Sequence, residues 1–336
     1  MFMFYALAGV FLLSLVLIHI VIFNAPQWGL MDIPNGRSAH KVHTPRGAGI
    51  GFYFAVAIIL PFFYFQLLAD HWQILLAVFM VFIVGILDDH RDTSPRTKFI
   101  VLAIATLVVY LDGIYIDAVG IYFGFPVSLG WLALPFTLFA VMGFTNALNL
   151  IDGLDGLAGS VTIVILGAFF YIGSLHDDLF MMVFSGAFIA ALLAFLIYNW
   201  NPAQIFMGDS GSLTLGFLIS VLAIRSLAYI PAVAVLFIAA VPLLDTFVVM
   251  IRRKRNGRSM FSADKCHMHH LLQELFGNST KTTVRFLVVL QAIYVMIGVH
   301  LEQDMEQTLP MVLFLLNVVL LYILLNRMVQ RQGRCC

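Results

Sequence analysis

Charge is what this sequence has least of: 11% of its 336 residues are Asp, Glu, Lys or Arg, while 62% are hydrophobic. A soluble domain carries roughly 25% charged residues, so the scarcity excludes a large soluble globule and points to a chain that crosses a membrane many times. Cysteine is scarce too. Cys266, Cys335 and Cys336 are too few for a disulfide framework, and the last two are adjacent. The N-terminus lacks a basic n-region and a small-residue cleavage site, so Phe2 to Phe23 reads as a retained first span. No internal repeat, linker or second domain is visible, which predicts one membrane domain over 1–336 and gives no reason to expect a nucleic-acid partner.

What the chain has is apolar runs. A helix needs about 20 apolar residues to cross a bilayer, with some tolerance for tilt and thinning. Eleven runs qualify: 2–23, 49–68, 72–87, 99–115, 131–151, 157–175, 179–200, 212–230, 231–251, 284–301 and 309–326. The fold class expected is therefore an all-α polytopic membrane protein. The eighth and ninth runs abut at Ile230-Pro231, where proline supports a tight turn. Of the 18 basic residues, all but Arg225 fall in loops after odd-numbered spans, at the loop end of the tenth run (Arg285) or in the C-terminal tail. Basic loops stay cytoplasmic, so the N-terminus is expected outside and the C-terminus inside. Between 112 and 130 the sequence alternates as IYIDAVGIYFGFPVSL, with Gly124 and Pro126 as turn formers, which predicts a small β-hairpin on the outer face.

The chemistry is concentrated in GILDDHRD, NLIDGLDGLAG, FMGDSGS and DKCHMHH. Carboxylates and histidines beside apolar spans are costly, so they read first as a functional site. All lie in or next to the cytoplasmic segments 24–48, 88–98, 146–156, 199–212 and 252–283. If Asp88, Asp89, Asp152, Asp155 and Asp209 converge, they must protonate, pair with cations or bind a metal. Oxygen ligands with amide neighbours suit Mg²⁺ or Mn²⁺ rather than zinc, and magnesium favours phosphate oxygens as its remaining ligands. The glycines of DGLDGLAG and GDSGS are expected to bring backbone N–H groups to a phosphate. Lys41 and the basic loop after the ninth span add phosphate-binding charge. The combination predicts metal-assisted phosphoryl transfer at the membrane surface.

Plainer readings compete residue by residue. An isolated Asp152 or Asp155 would be a helix cap or a turn, and Asp209 would cap the eighth span. Asp245, inside the ninth run, reads as a partner for a cation or the cap of a polar cavity. The basic run from Arg252 to Arg258 is partly what cytoplasmic topology and anionic lipid already demand. Imidazoles at the spacing of His267, His269 and His270 can bind zinc, with Cys266 as a weak fourth ligand. No finger-like or HExxH pattern accompanies them, and donation to phosphate is the preferred reading.

On these motifs, from about Asp32 to His270, the chain resembles the polyprenyl-phosphate N-acetylhexosamine-1-phosphate transferases, which start O-antigen and teichoic acid synthesis and are related to the phospho-MurNAc-pentapeptide translocase. The resemblance implies transfer of a sugar-1-phosphate from a UDP-sugar to undecaprenyl phosphate, release of UMP, and a need for Mg²⁺ or Mn²⁺. It implies that Asp88 and Asp89 bind metal and position the lipid phosphate, and that Asp209 is the principal metal ligand. Asn149, Asp152 and Asp155 match the nucleotide-contacting stretch, Phe206 an aromatic that stacks on uracil, and Asn199 an amide near the site. His267, His269 and His270 match the histidine motif near the substrate phosphates. In this chain Met268 replaces the usual isoleucine and Lys265 stands where arginine is common. The CHMHH form fits the members that use UDP-GlcNAc or a similar simple hexosamine. A bacterial inner-membrane location with a cytoplasmic site is implied, and a homodimer is left open. The alternatives are phospho-MurNAc-pentapeptide transfer, an ion-coupled transporter with its aspartates as a cation path, and a lipid-binding scaffold with a dead site.

Overall fold

The computed structural model of this chain describes residues 1–32, 43–257 and 267–331. Two compact units are present. The first, Met1–Asp117 with Leu129–Tyr229, holds α1 (Phe2–Trp28), the antiparallel pair β1 (Met31–Asp32) and β2 (Thr44–Pro45), α2 (Ala48–Asp70), α3 (Trp72–Arg91), α4 (Pro95–Leu111), α5 (Ala133–Leu150), α6 (Leu157–Leu175), α7 (Leu179–Asn199) and α8 (Asp209–Ser226).

α8 runs through the middle of this unit: every residue from Ser210 to Ile224 is buried. A helix surrounded on all sides has no solvent for its hydroxyls. Thr214 and Ser220 accordingly donate to the carbonyls one turn back, Ser210 O at 2.7 Å and Gly216 O at 2.8 Å. α3 packs on α8 through one stripe, Ile74, Ala77, Val78, Val81, Phe82, Gly85, Asp88 and Asp89. The helical period that buries the apolar members of this stripe also carries the two aspartates inward. Glycine sets how close the helices come. A Cβ at Gly85 would lie 2.5 Å from Ser210 Cα, and one at Gly49 would lie 2.2 Å from Gly211 N. α4 starts cleanly, with Ser94 Oγ accepting from Thr97 N at 3.2 Å and Pro95 in the first turn.

The second unit, Ala118–Ser128 with Ile230–Cys336, holds the hairpin β3 (Ala118–Tyr122) and β4 (Phe125–Ser128), then α9 (Ala232–Ile238), α10 (Ala240–Arg255), α11 (Met268–Leu275), α12 (Thr280–Val299) and α13 (Thr308–Arg331). Its core is Val233, Phe237, Ala240, Leu244, Tyr294, Phe314 and Val318. The strands pair antiparallel with Tyr122 opposite Phe125, inside the stretch whose alternation predicts them.

Eight helices among the described residues are long and apolar enough to cross a membrane, namely α1, α2, α3, α5 with its preceding turn, α6, α7, α12 and α13. This is a polytopic, mainly helical membrane protein. The other expected crossings fall short by length and hydropathy for visible reasons. α4 is 17 residues long, and α8 carries Asp209 and Arg225 near its two ends. The expected ninth span, 231–251, is not one helix: α9 and α10 meet at 88°. Pro242 explains the break, because in a continuous helix its ring would meet the carbonyl of Ile238 and its missing N–H would leave that carbonyl unpaired. The freed groups find a partner in the buried Gln291. Its Nε2 donates to Ile238 O at 2.7 Å and its Oε1 accepts from Val241 N at 3.0 Å. Away from water every such group must be satisfied, so Gln291 makes the bend tenable.

Candidate active site

In the first unit the end of α3, the start of α4, the end of α5 and the start of α8 bring three carboxylates, an amide and an ammonium together. Asp88 Oδ1 accepts from the backbone N and the hydroxyl of Thr93, each at 2.8 Å, which turns its Oδ2 toward Lys98 Nζ at 2.8 Å. The same ammonium lies 2.5 Å from Asp209 Oδ2. Asp209 Oδ1 accepts from Asn149 Nδ2 at 2.9 Å, and that amide also donates to Ser212 Oγ at 2.8 Å. Residues from three helices thus hold one oxygen of Asp88 and one of Asp209 on a single cation.

Asp89 faces the other way along the stripe. Its Oδ1 accepts from Asp209 N at 2.7 Å and its Oδ2 from Ser210 N at 3.0 Å. An anion here meets both the free N–H groups and the positive end of the α8 dipole. The expectation that the GDSGS glycines offer these amides to a phosphate is corrected by this contact. Asp89 takes the first two N–H groups, and Gly211 N and Ser212 N turn back to Gly208 O. Gly208, at φ +74°, is glycine for a steric reason, since a Cβ there would lie 2.5 Å from Asp89 Oδ2.

Asp152 lies in the turn between α5 and α6. Burial pushes its carboxyl up to about 7, and the negative charges of Asp209, Asp89 and Asp155 add to the effect. Asp155 and Asn199 join the two loops behind the cluster. Asp155 Oδ2 accepts from Asn201 Nδ2 at 2.8 Å and Ala203 N at 3.0 Å. Asn199 accepts from Gly156 N and donates to Ile205 O, both at 2.8 Å. Phe206 is half-buried, and its backbone pairs with Pro45 O at 2.9 Å and Ala48 N at 3.1 Å. Lys98, read in the sequence only as topological charge, is the site residue that sequence reasoning missed.

The second unit holds a separate polar centre. Asp245 Oδ2 is 3.0 Å from His267 Nδ1 and 3.3 Å from His269 Nδ1, and Asp245 Oδ1 accepts from Met268 N at 2.6 Å. All three side chains are buried. Asp245 therefore fixes two imidazoles by their Nδ1 atoms, leaving each Nε2 for other chemistry. These three also form the one His/Cys/Asp/Glu group among the described residues whose ligand atoms lie within 4.8 Å of one another. His270 follows on α11 with its ring centroid 4.3 Å from that of His269. Lys41, Lys265 and Cys266 lie outside the described residues.

Comparison with known proteins fits this arrangement. The chain is 31% identical over 319 residues to the "Probable undecaprenyl-phosphate N-acetylglucosaminyl 1-phosphate transferase" of Bacillus subtilis (strain 168), covering 92% of this chain and 86% of that protein. It is 31% identical over 327 residues to the "Undecaprenyl-phosphate alpha-N-acetylglucosaminyl 1-phosphate transferase" of Escherichia coli O157:H7, covering 94% and 88%. The Yersinia pestis protein of the same name is 31% identical over 325 residues, covering 93% and 88%. Residues 71–227, which carry the whole carboxylate cluster, match the family described as "Glycosyl transferase family 4", and with relatives at this identity along most of their length, this chain belongs to that family.

Proposed function

We propose that this protein transfers N-acetylglucosamine-1-phosphate from UDP-N-acetylglucosamine to undecaprenyl phosphate, releasing UMP. The observation that carries the reading is the convergence of Asp88 Oδ2 and Asp209 Oδ2, from segments far apart in sequence, on one positive charge. The names of the relatives supply the acceptor and the sugar.

Members of the family generally use a divalent metal. The donor set fits a hard cation, because two carboxylate oxygens already hold an ammonium between them and the neighbours are carboxylate and amide. Asp88 and Asp209 would hold Mg²⁺ or Mn²⁺, with Asn149 orienting Asp209, and the ion would neutralise charge on the phosphates. Asp89 fixes the start of α8 and so the direction of Asp209. Phosphoryl transfer mainly needs alignment and charge neutralisation. In the reading favoured here an oxygen of the lipid phosphate attacks the β-phosphorus, and the bond from that phosphorus to the UMP oxygen breaks. Asp152 and Asp155 border the nucleotide and Phe206 stacks on its base. His267, His269, His270, Lys41 and Lys265 serve the anionic parts of the substrates. The reading keeps α4, α8 and the bent pair of α9 and α10 as crossings beside the eight long helices, which makes eleven, with the N-terminus outside and a cytoplasmic site on the bacterial inner membrane.

Purified protein given undecaprenyl phosphate, Mg²⁺ and UDP-GlcNAc labelled in the sugar tests the proposal. Extractable labelled lipid and stoichiometric UMP are expected. Label in lipid from UDP-MurNAc-pentapeptide and none from UDP-GlcNAc would overturn the choice of sugar. No UMP with any UDP-sugar would overturn the reaction.

A further inference from the structure

Lys98 presents a conflict that the proposed reaction has to resolve. Its Nζ sits 2.8 Å from Asp88 Oδ2 and 2.5 Å from Asp209 Oδ2, on the two oxygens assigned above to the divalent cation. A divalent ion approaches carboxylate oxygens to about 2.0–2.1 Å, and an ammonium held by the same oxygens would be forced against it. Both cations cannot share the pair. Resting on the reading of Asp88 and Asp209 as metal ligands, we propose that Lys98 is an internal counter-ion which the metal displaces. Once displaced, its ammonium becomes the binding group for the phosphate of the lipid acceptor.

The structure provides the place for it to go. A cavity of about 130 Å³ adjoins the cluster, and Lys98 is already part of its wall. Asn146 and Asn149 line it beside the lysine, while Phe99, Leu102 and Leu213 make the remainder apolar. A recess with cation and amides at one side and hydrocarbon at the other matches a phosphate carried on an aliphatic chain. The sequence makes the swing easy. Lys98 lies in the first turn of α4, capped by Ser94, so the helix start stays fixed while a flexible four-carbon stem rotates. Charge favours the exchange at both ends. Without metal, one ammonium stands between Asp88 and Asp209, and the charges of Asp89 and Asp152 bear on Asp209 from behind. With a divalent ion on Asp88 and Asp209, the ammonium is surplus there and complements an incoming phosphate dianion. Metal and acceptor then bind cooperatively through one side chain, and each must raise the other's affinity by the same factor.

Mn²⁺ binding to the full-length protein in detergent, followed by electron paramagnetic resonance without nucleotide, tests the exchange directly. K98M removes the competitor and should bind Mn²⁺ about tenfold more tightly than the wild type. K98R, whose planar fork grips two carboxylates better, should bind it more weakly. A short-chain prenyl monophosphate should bind the wild type at least fivefold more tightly with saturating Mn²⁺, and K98M should lose that gain. Unchanged or weaker Mn²⁺ binding in K98M, tighter binding in K98R, or metal-enhanced binding of the prenyl phosphate that survives K98M would each overturn the proposal. D209N separates this from the underlying reading. If D209N leaves Mn²⁺ binding intact, the metal assignment itself fails. If D209N abolishes binding and K98M does not tighten it, the exchange alone fails.

Discussion

Asp89 Oδ1 accepts the backbone N–H of Asp209 at 2.7 Å, so one carboxylate of the site sets the direction of another through the peptide chain rather than through a shared ion. With Ser210 N on its second oxygen, Asp89 works as a cap supplied by a different helix. Asn at this position would oppose one backbone N–H with an amide donor and remove the charge facing the α8 dipole. D89N should therefore lose both stability and metal. Unsatisfied buried donors cost about 1–3 kcal/mol, enough to lower the unfolding temperature by several degrees. D209N should lose Mn²⁺ binding too but keeps both α8 N–H groups paired with Asp89, so it should unfold at a higher temperature than D89N, losing only what its contacts with Lys98 and Asn149 supply. Thermal unfolding in detergent beside Mn²⁺ titration distinguishes the two roles, and equal stability of D89N and wild type would remove the capping assignment.

The glycine contacts are the second point open to test. At Gly85 an added Cβ would sit 2.5 Å from Ser210 Cα, a backbone atom with no rotamer to escape into. G85A should force α3 away from α8, costing about 1–3 kcal/mol and separating Asp88 from Asp209. Gly143 and Gly167 are also helical, on α5 and α6, but nothing lies within 4 Å of a Cβ built there. G143A and G167A should be neutral, or stabilising by about 0.5–1 kcal/mol from helix propensity alone. Transfer assays on the three variants check this: inactive G85A beside two active controls is expected, and full activity in G85A would show that the close approach is dispensable.

How much of this was legible in the sequence depends on whether the controlling interaction is local. Asp88 and Asp89 extend an apolar stripe by the helical period, so their burial can be read from α3 alone. The hairpin at 118–128 lies inside the alternating stretch and turns at Phe123 and Gly124, while Pro126, expected as a turn former, sits in β4 opposite Ile121. Lys98 could not be read in this way, since its partner Asp209 is 111 positions away and the positive-inside pattern already accounted for its charge. The bend between α9 and α10 did have a signal. Pro242 interrupts the apolar run 231–251, but hydropathy averages over a proline and does not register a lost N–H. Asp245 was expected to pair with a cation or cap a cavity. Its partners, His267 and His269, come from beyond the basic loop and could not be assigned from spacing.

Asp152 gives the site a pH dependence whose sign can be worked out. Its carboxyl is pushed up to about 7, above the roughly 3.9 of an unfolded aspartate. Between those values the folded protein binds more protons than the unfolded chain, so stability must fall as pH rises through that window. With chelator present, the unfolding temperature of the wild type should decline from pH 5 to pH 7.5, and D152N, which stays neutral, should decline less. A wild-type slope that D152N leaves intact would place the responsible proton on another group.

Asp88 raises the question of whether the acceptor needs a base. Both of its oxygens are engaged as acceptors, Oδ1 by Thr93 and Oδ2 by Lys98, an arrangement that aligns a carboxylate rather than leaving it free to collect a proton. The chemistry does not require more, because a phosphate monoester has a second pKa near 6 and is largely dianionic at neutral pH. If Asp88 organises metal and acceptor, D88N loses that alignment at every pH. Its rate should remain about 100-fold or more below wild type from pH 6 to pH 9, in line with the usual cost of misplacing reacting groups. If instead Asp88 removed a proton, raising the pH would supply the ionised acceptor without it, and D88N would climb toward the wild-type rate. A pH–rate profile of UMP release under single-turnover conditions decides between them, and recovery at high pH would return Asp88 to the role of base.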